Sequence, residues 1–204
     1  MKGMRVVAVA LFVALAITPV AEAKKKGGGR VDITQTGAPI PERAPGGTFG
    51  GVYGQLTSTI EVGKRFKGKR VRDVNVTLQT LGATGTHPAD DLVAILTAPN
   101  GASTRLFSSL EGFMTPELSI GPLTLDDETS TFLGGGPPVI PAALYQPWAG
   151  TAQPTFEPLA LMDGGPVRGT WTLKMLDGSA FGGGTSVLSS WRLNVIAGRP
   201  YRTP

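Results

Sequence analysis

The chain has 204 residues, a net charge of +4, 29 glycines, 17 prolines, one histidine and no cysteine. So even a charge balance does not call for nucleic acid, and without cysteine there are no disulfides and no thiolate zinc site. A hydrophobic core or a bound hard cation must therefore hold the fold together.

The first 23 residues read as an address rather than as part of the fold. Lys2 and Arg5 form a short positive segment, residues 6–20 are almost wholly apolar, and Ala21-Glu22-Ala23 has small residues where a signal peptidase reads. The apolar run is short for a membrane span. The expectation is a signal peptide cleaved near Ala23 and a secreted protein with no membrane span in its mature form. About 180 residues remain, enough for one domain with a proper core.

Residues 24–52 begin Lys24-Lys25-Lys26-Gly27-Gly28-Gly29-Arg30 and continue rich in Gly, Pro and Thr. They are expected to form a flexible linker or arm. The domain is expected over residues 53–197, with a short tail over 198–204. Strand signals recur from Tyr53 onward. Residues 56–62 and 71–78 alternate apolar with polar, and residues 92–97, 103–107 and 123–125 follow. Pro99-Asn100-Gly101 marks a tight turn. Trp171, Leu173 and Met175 alternate with Thr170, Thr172 and Lys174, and Trp191, Leu193 and Val195 with Arg192 and Asn194. No window holds three capped helical turns. Many short strands joined by Gly/Pro turns predict an all-β sandwich or barrel.

Two stretches invite a functional reading. Lys64, Arg65, Lys67, Lys69, Arg70 and Arg72 form a basic run that could dock on anionic wall polymer, lipopolysaccharide or phospholipid headgroups. The plainer reading, a charged turn between strands that opposes edge pairing, is preferred. Residues 133–158 are punctuated by prolines and are expected to be a long irregular loop across one end of the sandwich. Tyr145 and Trp148 within it are candidate contacts for a sugar or peptide; the other reading is that they pin the loop to the core.

In this order the pieces resemble the P domain, or P/Homo B domain, that follows the catalytic domain of kexin- and furin-like subtilases, proprotein convertases among them. The likeness is greatest to its bacterial secreted variants. It is carried by the strand 71–78, by Pro88-Ala89-Asp90-Asp91-Leu92 with its apolar strand, and by Pro99-Asn100-Gly101. Leu123-Thr124-Leu125-Asp126-Asp127-Glu128, Phe156-Glu157-Pro158-Leu159 and Gly169-Thr170-Trp171-Thr172-Leu173 follow, then Asp177 and the closing residues 183–193 with Trp191. Two departures stand out: His87 is displaced by a residue, and the turn before Trp171 lacks an Asn-Gly step. The resemblance implies a jelly-roll β-sandwich, galactose-binding-domain-like in architecture, that accompanies and stabilises serine endopeptidases without catalytic residues of its own.

The residues agree that catalysis by this chain is not expected. His87 is the only histidine, it stands in a turn before Pro88, and no G-x-S-x-G elbow is present. Calcium is the better metal question, since hard cations take carboxylate and carbonyl oxygens from loops and the bacterial relatives imply such loops hold it. Asp90, Asp91, Asp126, Asp127 and Asp177 are the candidate ligands; the alternative is that these carboxylates cap turns through their own backbone. Three functions follow as expectations. The first is a secreted stabilising or protein-binding module beside a subtilisin-like protease or another extracellular protein. The second is an extracellular carbohydrate- or cell-wall-binding jelly roll, and the third, least favoured, is a hydrolase in its own right.

Overall fold

The computed structural model describes residues 29–41, 54–79, 81–84, 92–108, 117–130, 139–140, 143–145, 158–178 and 186–199. In chain order the strands are β1 (Gly29–Thr36), β2 (Pro39–Ile40), β3 (Gly54–Val62), β4 (Arg70–Leu78), β5 (Leu81–Thr84), β6 (Leu92–Thr97) and β7 (Ser103–Ser108). They continue as β8 (Glu117–Ile120), β9 (Leu123–Leu125), β10 (Val139–Ile140), β11 (Ala143–Tyr145), β12 (Gly169–Asp177), β13 (Ser186–Leu188) and β14 (Ser190–Gly198). Among the described residues the only helical pieces are two 3₁₀ turns, Lys64–Phe66 and Leu159–Met162, and no helix is long and apolar enough to cross a membrane.

Period-two alternation decides which face of each strand is buried. Val74, Val76 and Leu78 of β4, Trp171, Leu173 and Met175 of β12, and Trp191, Leu193 and Val195 of β14 all enter one core. One layer is a four-stranded sheet in the order β3-β12-β6-β7. Ala98 and Ala102 close the β6–β7 hairpin around Pro99-Asn100-Gly101. Gly101 takes φ 86°, which suits glycine, and Asn100 Oδ1 accepts the Ala102 N–H.

The other layer has two parts that mirror each other in order. The sheet β1-β14-β4-β9-β11 is matched by the sheet β2-β13-β5-β8-β10, each strand of the second lying next in sequence to its counterpart in the first. These are five long strands, each interrupted at the same level, so the layer is creased along one line. Hydrogen bonds from Gly37 N–H to Ser189 O and from Gln79 N–H to Ser190 O stitch the crease. Gly37 is indispensable there, because a Cβ would stand 2.0 Å from the Leu188 carbonyl oxygen. Gly37→Ala is therefore expected to cost about 2 kcal/mol, read as a lower midpoint in urea unfolding with an unchanged slope.

The all-β sandwich expected from the sequence is what the chain forms, and its strands pass between layers as in a jelly roll. Two expectations are corrected. Residues 29–41 are not part of a flexible arm: β1 pairs with β14 along its whole length and Val31 is fully buried. Nor is Tyr145 in an irregular loop, since β11 pairs in parallel with β9, Tyr145 standing in register with Leu125. β10 and β11 are edge strands of their sheets.

The two large core side chains are anchored differently. Trp171 donates its indole N–H to the Val167 carbonyl, 3.0 Å away on its own approach turn. Trp191 donates to Ser58 Oγ at 2.9 Å, across the sandwich from β14 to β3. Both rings are fully buried with their one polar atom partnered.

Candidate metal centre

A β-bulge opposite Ile196 and Ala197 sets two consecutive residues, Arg72 and Asp73, between the buried Val71 and Val74. Bulges re-aim side chains, and this one turns Asp73 out of the core on the same side as Asn75 and Thr77. Neighbouring β9 runs antiparallel, with Thr77 and Thr124 sharing a hydroxyl hydrogen bond of 2.9 Å. The turn that follows β9, Asp126-Asp127-Glu128, is therefore delivered beside Asp73.

Each acidic residue of that turn has a distinct place. Asp126 Oδ1 accepts the Glu128 N–H at 2.9 Å and closes the turn. Asp127 Oδ2 accepts the Ala160 N–H at 2.8 Å, tying the turn to the 3₁₀ segment Leu159–Met162. One carboxylate oxygen from each of Asp73, Asp127 and Glu128 lies within 4.8 Å of the others. Asp163, just beyond the 3₁₀ segment, adds a further negative charge that acts on Asp73.

Such crowding resists ionisation. Burial first, then the charges of Asp126, Asp127 and Asp163, hold the Asp73 carboxyl above its usual range. Glu128 is pushed up to about 7, first by its hydrogen bond with Asp126, then by burial and by the charges of Asp73, Asp127 and Asp126. Asp163 is raised by burial and by Asp127, with Arg72 opposing. Among the described residues, two acceptor oxygens on this face of β4, Asp73 Oδ1 and Asn75 Oδ1, are buried with no hydrogen-bond partner. Buried polar atoms of this kind are rare in native folds and call for a donor or a cation.

A hard cation fits this arrangement. Two oxygens on opposite sides of one calcium ion are about 4.6–5.2 Å apart and adjacent ones are closer, so three oxygens all within 4.8 Å of one another can share one ion. A cation would offset the repulsion that raises Asp73 and Glu128, and it would give the orphaned Asp73 oxygen an electropositive partner. Asp73, Asp127 and Glu128 would be its protein ligands, with carbonyls or water completing the six to eight oxygens calcium takes.

Of the residues singled out from the sequence, Asp127 is in this group. Asp126 caps its own turn beside it, as the alternative reading had it. Asp177 is elsewhere: it ends β12, is buried, and accepts a 3.0 Å hydrogen bond from the buried Ser186 hydroxyl of β13. It pairs in register with Leu92, the residue after Asp90-Asp91, but Asp90, Asp91, His87 and Trp148 lie outside the described residues. Asp73 and Asp163 were not expected. Asp73 occupies a polar position of an alternating strand, which in sequence reads as solvent-facing.

No protein-family model matches the chain, and no curated protein matches its sequence.

The raised carboxylates carry a signed pH dependence. A group protonated more readily in the folded state contributes stability that is full below its unfolded pKa and lost as pH rises through its folded pKa. For Glu128 that window runs from about 4.5 to about 7. In chelator, Glu128→Gln is expected to match the parent in melting temperature near pH 4.5 and to exceed it at pH 8. A variant that melts lower throughout would show the glutamate to be stabilising.

Proposed function

We propose that the chain is a secreted, non-catalytic module of P-domain type that stabilises or docks on an extracellular protein. A subtilisin-like serine endopeptidase is the partner that the resemblance implies. The reading rests chiefly on one observation: those of the resembling motifs that lie among the described residues fall on strands and turns of a single two-layer sandwich with one continuous core. Val74, Val76 and Leu78, the Pro99-Asn100-Gly101 hairpin, Leu123-Thr124-Leu125, Trp171 and Trp191 all serve that core or its turns. Calcium held by Asp73, Asp127 and Glu128 would fasten the turn after β9 and the 3₁₀ segment Leu159–Met162 onto β4. Its part is structural: neutralising charge and fixing two turns relative to the sheet.

The test is capture. The tagged chain from residue 24 to residue 204 is incubated with the native host's culture supernatant, with calcium and with chelator. Bound protein is then labelled with a fluorophosphonate probe that marks active serine hydrolases. Recovery of a labelled subtilisin-like protease supports the accessory role, and loss on chelation ties the metal to the interface or the fold. Recovery of wall polymer alone would transfer the assignment to a carbohydrate-binding jelly roll.

A further inference from the structure

The basic run falls in two places on the fold. Arg70 and Arg72 are tied to main-chain carbonyls, Arg70 Nη1 to Gly164 O and Arg72 Nη2 to Arg199 O, and so help close β4 against its neighbours. Arg65 and Lys69 come from the turn built on Lys64–Phe66 and lie beside the start of β1. Together with Gly29, Arg30 and Phe66 they line an open cleft of about 290 Å³. Three of its five lining residues are cationic and none is acidic.

The cleft is preorganised. Phe66 is buried, and the Arg65 guanidinium lies over its ring, 4.9 Å from the centroid. The ring fits against Gly29, where a Cβ would meet it at 3.0 Å. Arg30 is steadied by donation from Nε to Asn194 Oδ1 at 2.9 Å. Asp32, the carboxylate of β1, is held by two nitrogens of Arg192 and also feels the charge of Arg30, while Glu61 accepts from the Thr170 hydroxyl. The remaining exposed cations of the turn, Lys64 and Lys67, do not line the cleft.

We propose that this cleft binds a phosphate or sulfate ester carried on a unit of sugar or polyol size. Two guanidinium groups and an ammonium around one hollow suit a tetrahedral oxyanion, which takes several charge-assisted hydrogen bonds at once. The volume sits at the lower bound of small-ligand sites, so one esterified unit enters, not a bulky duplex. The free ester and a repeat of an anionic polymer share this chemistry. The site is independent of the calcium group, since it uses the opposite charge on other residues.

The test uses the protein labelled with ¹⁵N, titrated with glycerol 1-phosphate and, separately, with inorganic polyphosphate. Saturable amide shifts at Arg30 and across Arg65 to Lys69 are expected, and tighter binding per phosphate to the polyphosphate would identify the polymer as the source. R65Q/K69Q is expected to weaken binding about tenfold or more, and K64Q/K67Q, which removes the same charge outside the cleft, less than about threefold. If the double variant fails to fold, R65Q against K64Q makes the same comparison on exposed residues. Equal losses in the two variants would overturn the proposal in favour of a diffuse positive surface. Binding to phosphatidylglycerol vesicles with no response to either ester would overturn it in favour of a membrane surface.

Discussion

Trp191→Ala is expected to destabilise the fold by about 3–5 kcal/mol, enough to unfold much of the population of a domain of ordinary stability. The ring fills the core between the layers, so its removal loses both apolar burial and the contacts that line the resulting cavity. It also removes the hydrogen bond to Ser58, which joins β14 to β3 across the sandwich. Trp191→Phe separates these contributions. It keeps much of the volume, loses the cross-layer bond, and is expected to cost about 1 kcal/mol for the bond with a smaller packing loss. Trp171→Ala should match Trp191→Ala in size, because its ring is equally buried. Its hydrogen bond is local, so Trp171→Phe should loosen the turn before β12 and leave the layers joined. Urea unfolding followed by circular dichroism reads all four variants. A cost below about 1 kcal/mol for either alanine variant would mean that the ring does not fill the core.

Calcium at a concentration of about one hundred times its dissociation constant should stabilise the protein by about 2.7 kcal/mol, raising the melting temperature by about 5–10 °C over chelator. Asp73→Asn gives the sharper reading because its two effects have opposite signs. Without metal it relieves the repulsion among Asp73, Asp126, Asp127 and Asp163, so it should melt above the parent. With metal it lacks a charged ligand, so most of the calcium gain should vanish. Differential scanning calorimetry at pH 8, in calcium and in chelator, measures both. A parent that melts at one temperature in both buffers, with Asp73→Asn below it in each, would leave the carboxylates as a structural network and remove the cation.

Much of the fold was legible because alternation fixes the face of a strand without any knowledge of its neighbours. β4, β12 and β14 read cleanly for this reason, and the β6–β7 hairpin announced itself through Asn100-Gly101. β1 did not. Val31 and Ile33 alternate with Asp32 and Thr34, yet the signal is short and follows a glycine- and lysine-rich stretch that reads as an arm. Its burial comes from pairing with β14, more than 150 residues away in sequence, which no local window contains. The candidate metal centre was half legible. Asp126 and Asp127 stood out as a pair after a strand, but Asp73 depends on a bulge and on the segment around Leu159–Gly165 packing over β4. Period-two reasoning says which side a residue takes, not what comes to lie above that side.

The crease carries a consequence for how the molecule opens. The regular ladders of that layer give way at one level to single bonds such as those of Gly37 and Gln79, so cooperativity along the strands has a natural boundary there. On one side lie β14, β4 and β1 with the long ladders and the Trp191 anchor; on the other lie the short strands β2, β5, β8, β10 and β13. Amide hydrogens of the short half should exchange as a group ahead of those of the long half, with the step in protection falling between Leu188 and Ser190. The layer then behaves as two cooperative units in series, one of which can melt while the hydrophobic interior around Trp191 stays closed.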